Sequence, residues 1–348
     1  GGGGGGGRRA PPPPRRGPRP PRGCPFDGLQ WLSSGRTRTA DANRRLVASL
    51  HRDPGEGWGW LVLDGLAEGE LGLKGTLLAP GSEARGRVLC AGYEGTAEAE
   101  REVLGLVASA PGREARPDGS VALLGGARVV GGAGWSGSDL ELAALAAQED
   151  LVLLKRDRGT GQHTVEAGCV CFSFGRLPDR IGRPMRAVHE AVGNYGSDLG
   201  TPVDRLLGAL KPGEPVNRTN WALTWTDSLL PSVERYPWRL SDGASEGGAE
   251  EHAAEAARRL EDGGVGDTLF LKVEYQTLHR LEECPEFVLF TVRSFVQPLS
   301  AVEASPPAAA QLAHNIRAMP GAFAEYKGLE SPAVAGAVLE YLDAAAAA

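Results

Sequence analysis

Two stretches near the carboxyl-terminal end of the chain decide the fold: LKVEYQ at 271–276 and LFTVRS at 289–294. Both are rich in β-branched and aromatic residues, and their polar side chains recur at alternate positions, which is the period of a β-strand. The surrounding residues extend this pattern and predict strands over Thr268–Thr277 and Glu286–Phe295, joined by a short loop. We therefore expect a β-hairpin late in the chain.

Polar residues at alternate positions of such apolar strands need an explanation. Alternation puts Lys272, Glu274 and Gln276 on one face of the first strand, and Arg293 on one face of the second. An unpaired charge buried there would cost several kcal/mol, so these residues indicate a paired polar network or the lining of a pocket. The alternative is one solvated face of the sheet. Trp221 would add an aromatic wall to such a pocket, or it packs in the core.

Elsewhere the sequence predicts a mixture of strands and helices. Strands are predicted at Asp150–Lys155 and Val165–Phe174, on either side of a turn that contains Gly. A capping box at Ser138, apolar residues at helical spacing after Leu199, and a Ser-Pro pair at Ser331 predict three helices. Strands in the middle, a late hairpin and helices before and after them favour an α+β fold over a doubly wound parallel sheet.

The composition is that of a globular chain with a moderate acidic excess. Its 348 residues carry 37 Lys and Arg against 44 Asp and Glu, a formal charge of −7, and 41% of them are hydrophobic. This balance argues against nucleic-acid binding, which needs clustered Lys and Arg. No run of about 18 apolar residues indicates a membrane span. Five scattered cysteines do not form a disulfide framework, which favours a reducing compartment and a cytoplasmic location.

Two low-complexity segments flank or interrupt the predicted domain, which spans 23–345. Residues 1–22 are Gly, Pro and Arg with one Ala, and we expect a disordered tail. Residues 241–267 are rich in acidic residues and Gly, and we interpret them as an acidic surface insertion.

The sequence does not begin with Met, so we expect a truncated start. An organellar location stays open, because transit peptides are also basic and poor in acidic residues.

His189 is the histidine whose surroundings favour metal ligation. Ile181, Met185, Val188 and Val192 form one apolar stripe of a predicted short helix, and His189 lies at the edge of that stripe. An imidazole in this place can face an apolar cavity, as an axial haem ligand does. The alternative is a core histidine that hydrogen-bonds to a backbone carbonyl.

A series of short motifs follows in one order along the chain. They are QEDLVLL at 148–154, CF at 171–172, IGRP at 181–184 before His189, VDR at 203–205, LKPG at 210–213, NW at 220–221, Glu274 with QTL at 276–278, RL at 280–281, FTVR at 290–293 and YKGL at 326–329. Each motif is loose by itself, whereas the ordered series is fairly specific. Over roughly residues 140–345 the chain resembles the haem-dependent oxidative N-demethylase α-subunit-like family.

The resemblance implies a PAS-like domain with flanking helices that binds haem b. It implies oxidative removal of a methyl group from a small secondary amine such as dimethylamine, with O2 as the oxidant and formaldehyde as a product. Electrons are expected from NADPH through a separate flavin and iron–sulfur reductase subunit, and a tetrahydrofolate-binding subunit would receive the formaldehyde. The alternative is a haem-binding PAS-like sensor or carrier without catalytic activity, since a fold does not define a function. A scaffold that binds no haem is a third interpretation.

The resemblance also implies roles for individual residues. His189 is the candidate proximal ligand of the haem iron. Gln276, Trp221 and Arg293 are candidates for the haem pocket, where a guanidinium suits a propionate. Glu274 and Arg293 are the candidate catalytic residues: Glu274 would hold a cationic amine or pair with Arg293.

Overall fold

The computed structural model describes residues 60–61, 63–173, 175–189, 200–230, 249–319, 321–329 and 331–348. The predicted disordered tail at 1–22 lies outside these residues, and so do residues 241–248 of the predicted acidic insertion. Residues 190–199, which follow His189, lie outside them as well.

A six-stranded antiparallel sheet and a small three-stranded sheet form the β part of the fold. The described strands are β1 (Leu89–Cys90), β2 (Arg113–Ala115), β3 (Ser120–Leu123), β4 (Arg128–Gly131), β5 (Asp150–Arg156), β6 (His163–Cys169), β7 (Val216–Thr224), β8 (Phe270–Arg280) and β9 (Phe287–Pro298). The large sheet has the order β1-β6-β5-β9-β8-β7, and the small one the order β2-β3-β4. Strands β8 and β9 form the predicted hairpin, and β5 pairs with β6 as expected. The α+β prediction is confirmed.

Helices precede, interrupt and follow these strands. They are α1 (Ala67–Leu78), α2 (Arg85–Val88), α3 (Ala97–Ala108), α4 (Asp139–Leu145), α5 (Met185–Val188), α6 (Gly200–Ala209), α7 (Ala249–Gly263), α8 (Val265–Thr268), α9 (Pro306–Arg317), α10 (Gly321–Ala324) and α11 (Pro332–Ala347). Ser138 Oγ accepts a hydrogen bond from Glu141 N at the start of α4, and Ser331 Oγ accepts one from Val334 N at the start of α11. Of the helices in the described ranges, none combines the length and apolar character that a membrane crossing requires.

Helix α7 corrects part of the interpretation of 241–267 as a surface insertion. Ala256 and Leu260, one turn apart on α7, are buried and belong to the same apolar cluster as Val338 of α11. His252, near the start of α7, is also buried, with 8% of its surface exposed. This part of the acidic segment therefore contributes to the core, because an apolar pair at i and i+4 gives a helix a buried edge.

Helices cover the large sheet on both faces. Leu153 of β5 and Leu289 of β9 lie opposite each other, and both point toward α1, α3 and α4. The next pair along these strands, Val152 and Phe290, points to the opposite face, toward α5 and α6. Helices α7, α9 and α11 cover the β7–β8 end of the first face. We call the first face the core face and the second the cleft face. Leu278 pairs with Phe290, so the even-numbered residues of β8 lie on the cleft face.

His163, the first residue of β6, is fully buried. Neither of its ring nitrogens has a hydrogen-bond partner among the described residues. Burial, together with the positive charges of Arg280 and Arg156, lowers the pKa of His163 to about 4. In the unfolded chain the pKa of His163 is near 6.5. Between pH 6.5 and about 4 the unfolded state therefore binds a proton that the native state does not bind. Stability contributed by the neutral imidazole is therefore lost as the pH falls from 6.5 to about 4.

We expect His163→Phe to remove this acid sensitivity. The new ring has a similar size and no hydrogen bond is lost, so the free energy of unfolding at pH 7 changes little. As the pH falls toward 4, the wild-type protein loses up to about 3 kcal/mol more than the variant. Urea unfolding across this pH range measures the difference, with His314→Phe at an exposed position as the control. Parallel losses in wild type and His163→Phe would contradict the expectation.

Candidate functional site

Two neighbouring strands bring four polar side chains together on the cleft face. Arg218 and Asn220 of β7 lie directly across from Gln276 and Glu274 of β8, respectively. Arg218, Asn220 and Glu274 are half-buried, whereas Gln276 is buried, with 7% of its surface exposed, and Tyr275 on the core face is buried as well. The β7–β8 end of the cleft face is therefore a polar surface that solvent reaches.

Two amides hold the carboxylate of Glu274. Asn220 Nδ2 donates to Glu274 Oε2 over 3.3 Å, and Gln276 Nε2 donates to the same oxygen over 2.9 Å. Each amide is itself held by a cation: Lys327 Nζ donates to Asn220 Oδ1 over 2.5 Å, and Arg218 Nε donates to Gln276 Oε1 over 2.6 Å. Among the described contacts no cation touches the carboxylate, so Glu274 is fixed in place while its negative charge stays without a direct ion pair.

His189 lies beside this surface, directly after α5. Its Nδ1 is 2.9 Å from the carbonyl oxygen of Met185, so Nδ1 carries the proton and Nε2 the lone pair. Burial lowers the pKa of His189 despite the bond to Met185, and the charges of Arg218 and Arg180 lower it further. A neutral imidazole oriented by a carbonyl is typical of metal-bound histidines. A core histidine makes the same bond, but solvent reaches His189.

Tyr326 and Lys327 come to the same place from the carboxyl-terminal part of the chain. They follow α10 and lie along β7, the edge strand of the sheet. Besides its bond to Asn220, Lys327 Nζ donates to the carbonyl oxygen of Trp221 over 2.6 Å and lies 5.4 Å from the centroid of the Tyr326 ring. Tyr326 is 42% exposed, so solvent reaches it.

Positive charge predominates at this site. Arg180, whose Nη1 donates to the carbonyl oxygen of Val188 over 2.8 Å, lies near enough to influence His189. Burial and the charge of Arg218 lower the pKa of Lys327 to about 7, although Glu274 opposes this shift. The polar cleft is the set of Arg180, His189, Arg218, Asn220, Glu274, Gln276, Tyr326 and Lys327. Guanidinium groups bind planar carboxylates through paired hydrogen bonds, so the cleft suits a ligand with carboxylates beside a cationic group.

Arg293 lies on the core face, away from the polar cleft. Across the hairpin it pairs with Tyr275, whereas Glu274 pairs with Ser294. Its side chain is fully buried, with Nη2 2.8 Å from Asp64 Oδ2 and Nη1 2.8 Å from a carboxylate oxygen of Glu70. The expected pairing of Arg293 with Glu274 or with a haem propionate is therefore corrected. Successive residues of a strand face opposite ways, and two buried carboxylates already engage this guanidinium.

Trp221 also faces the core. It pairs with Val273 across β7 and β8, is 7% exposed, and belongs to the apolar cluster that includes α9 and α11. The structure thus shows the packed tryptophan that the sequence left as an alternative, in place of an aromatic wall. Of the polar cleft residues, Lys327 lies near the ring of Trp221, with its Nζ 5.2 Å from the ring centroid.

Of the predicted site residues, the structure places Glu274 and Gln276 on the cleft face, and His189 near Arg218, which hydrogen-bonds to Gln276. The two strand residues share a face because they are two positions apart. His189 lies on this side of the sheet because α5 packs on the same face. Their roles as iron ligand, amine-binding carboxylate and pocket residue stay predictions.

Five residues of the cleft were not among the predicted site residues: Arg180, Arg218, Asn220, Tyr326 and Lys327. A signal existed for Arg218, since Arg218 and Asn220 alternate on β7 as Glu274 and Gln276 do on β8. Arg180, Tyr326 and Lys327 come from irregular segments far apart in the chain, where no periodicity indicates which side chains meet.

A comparison with protein-family models matches most of the predicted domain to one family. The model of the family described as "Haem-dependent oxidative N-demethylase, alpha subunit-like" matches residues 130–335, more than half of the chain. The match includes strands β5 to β9 and every residue of the polar cleft. Its description names haem dependence, oxidative N-demethylation and a subunit that acts with others. The chain therefore belongs to the haem-dependent oxidative N-demethylase, alpha subunit-like family.

Proposed function

We propose that this protein is a haem-dependent enzyme that removes a methyl group oxidatively from a small secondary amine. For dimethylamine the overall reaction is (CH3)2NH + O2 + NADPH + H+ → CH3NH2 + HCHO + NADP+ + H2O. The N–CH3 carbon is oxidised to formaldehyde, and O2 is reduced with two electrons from NADPH. Family membership supports the reaction type, and the polar cleft offers residues that fit it.

The observation that carries the proposal is that His189 and Glu274 are both half-buried and lie near Arg218, whose charge acts on His189 and whose side chain holds Gln276 against Glu274. Glu274 is held by neutral amide donors, so its charge remains available for a ligand cation. A small alkylamine is protonated in neutral water and would meet this charge. The amine would then lie beside the haem that His189 would hold, so the amine and O2 would be brought close together.

The residues of the cleft fit a haem group. His189 would hold the iron through Nε2, and its bond to Met185 would orient the ring. Arg180 and Arg218 would bind the propionates, and the exposed ring of Tyr326 would pack on the porphyrin. When bound, haem b would supply the activation of O2. Arg293 does not take part in this proposal, because it faces the core.

The fold supports the PAS-like part of the proposal. Strands β5 to β9 are five consecutive antiparallel strands, and the segment between β6 and β7 carries α5 and α6, which pack on the cleft face. One sheet with α5 and α6 packed on its cleft face is the arrangement that a PAS-like haem domain would have. The electrons would come from a separate flavin and iron–sulfur reductase subunit, and a tetrahydrofolate-binding subunit would receive the formaldehyde.

Absorption spectra of wild type and His189→Ala, both expressed with a haem precursor, test the haem ligand. We expect a Soret band in wild type that is lost or shifted in the variant, because the axial ligand is removed. His314→Ala, which changes an exposed histidine, should keep the band. A colourless wild type that also fails to take up added haemin would exclude both the enzyme and the sensor. An unchanged band in His189→Ala would assign the iron to another ligand.

Glu274→Gln tests the amine site. Titration with dimethylammonium should shift the Soret band of wild type, and the variant, which keeps the shape but not the charge, should bind at least about 10-fold more weakly. Formaldehyde release with a surrogate reductase should fall in parallel. Glu98→Gln, at an exposed position of α3, is the matched control. A haem protein that responds to redox state but shows no amine-induced shift would favour the sensor or carrier.

A further inference from the structure

The two amides that hold Glu274 have their orientation determined by cations. An amide oxygen accepts hydrogen bonds and an amide nitrogen donates them. Because Lys327 Nζ lies 2.5 Å from Asn220 Oδ1, the nitrogen of Asn220 turns to Glu274. Because Arg218 Nε lies 2.6 Å from Gln276 Oε1, the nitrogen of Gln276 turns there as well. Each cation thus determines which end of one amide faces the carboxylate.

Both amides donate to the same oxygen of the carboxylate. Asn220 and Gln276 approach Glu274 Oε2 over 3.3 and 2.9 Å, and no donor from the described residues approaches Oε1. The cross-strand register enforces this convergence, because Asn220 lies opposite Glu274 while Gln276 is two positions further along β8. The carboxylate is therefore held by one oxygen and presents the other.

We propose that Lys327 and Arg218 are positioning residues for amine recognition: through Asn220 and Gln276 they hold Glu274 by Oε2, so that Oε1 is the acceptor for an N–H group of the ligand. The proposal rests on the proposed function, because it takes Glu274 as the amine-binding group. It specifies the ligand class as small ammonium ions that carry at least one N–H. Secondary and tertiary ammonium ions can donate to Oε1, and quaternary ones cannot.

Removing Lys327 separates positioning from simple electrostatics. Below pH 7, where Lys327 is mostly protonated, loss of its positive charge would remove a Coulomb repulsion and so strengthen the binding of a cation. The positioning role predicts the opposite result: Lys327→Met releases Asn220 and weakens dimethylammonium binding about 10-fold or more. Lys327→Arg, which keeps a cationic donor, should recover most of the affinity, to within about 3-fold of wild type.

A double-mutant cycle shows whether Lys327 acts through Asn220. The dissociation constant of dimethylammonium is measured from the Soret shift of the haem-loaded protein for wild type, Lys327→Met, Asn220→Ala and the double variant. If the relay exists, Lys327→Met has little further effect once Asn220 is shortened, so the two effects are not additive. Fully additive effects would overturn the relay. Arg218→Met with Gln276→Ala tests the second relay in the same way, in haem-saturated protein, because Arg218 is also a proposed propionate partner. This cycle replaces the first one if the haem content and circular dichroism of Lys327→Met show that this variant does not fold.

Tetramethylammonium is the control ligand, because it carries the charge without an N–H. Its affinity should change less than about 3-fold in Lys327→Met. An equal loss for both ligands would mean that the pocket as a whole is damaged, and would overturn the positioning role. If wild type binds haem but gives no shift with dimethylammonium, the proposed function itself fails. If wild type responds and Lys327→Met responds equally, only the positioning role fails.

Discussion

Replacing Arg293 with Met is expected to lower the free energy of unfolding by about 3–5 kcal/mol. The substitution leaves the carboxylates of Asp64 and Glu70 buried without the guanidinium that lies 2.8 Å from each of them. Asp64 precedes α1, Glu70 lies in α1 and Arg293 lies in β9, so the same network fastens the amino-terminal helix to the sheet. Urea unfolding measures the effect. The matched control is Arg317→Met, which breaks a half-exposed ion pair with Asp343 and should cost less than about 1 kcal/mol.

The pH dependence of this deficit distinguishes a buried charge from a cavity. In wild type, burial would raise the pKa of Asp64, but the charge of Arg293 and hydrogen bonds from Gln148 and the Leu66 amide lower it below its usual value. Burial raises the pKa of Glu70 in spite of Arg293. Without Arg293 both carboxyls would have pKa values above those of the unfolded chain, so the native state would bind more protons. The deficit should therefore shrink as the pH falls from neutral toward the carboxyl range. A deficit that does not vary with pH would point to lost packing instead.

Replacing Gly328 with Ala is expected to cost about 2–5 kcal/mol and to disturb the polar cleft. Gly328 has a φ of +82°, which is unfavourable for any residue with a Cβ. An added Cβ would also overlap with the carbonyl oxygen of Leu223 and lie 2.9 Å from its carbonyl carbon. The close approach to β7 is what delivers Tyr326 and Lys327 to the cleft. Amine binding should therefore weaken together with stability.

Gly81→Ala separates the cost of a positive φ from the cost of steric overlap with β7, which act together at Gly328. Gly81 has nearly the same φ, +83°, but an added Cβ there would meet nothing within 4 Å. It should show the conformational cost alone, about 1–2 kcal/mol, and leave the amine-induced Soret shift unchanged. Urea unfolding and amine titration of both variants make the comparison. Equal losses of stability at the two glycines would show that contact with β7 contributes nothing.

Much of the local structure was predictable because its causes are local. Ser138 and Ser331 cap helices with their own side chains, and those interactions extend over three residues. The hairpin of β8 and β9 followed from side-chain alternation and β-branched composition. The burial of the helix around Leu260 was not predicted, because the composition of this segment is acidic and Gly-rich. Its apolar edge is buried only because α11 packs in the same cluster.

The candidate site was predictable in part for the same reason. Glu274 and Gln276 were expected on one face, and they lie there, because residues two apart on a strand always share a face. His189 was singled out by the apolar stripe of its own helix. Lys327 and Arg180 gave no such signal, because their place in the cleft depends on how distant segments pack against the edge strand and against α5.

By itself the sequence determined which residues of each strand point the same way: Lys272 with Glu274 and Gln276, and Thr291 with Arg293. Only the tertiary structure decided how the two sets relate. The register that places Glu274 opposite Ser294 puts Arg293 on the other face, and a shift of one residue would have placed Arg293 beside Glu274. The observed register places Arg293 where it is buried with Asp64 and Glu70, residues more than 200 positions away in the chain. Alternation acts between neighbours in the chain, whereas pairing between strands and the choice of a covered face are settled by long-range packing.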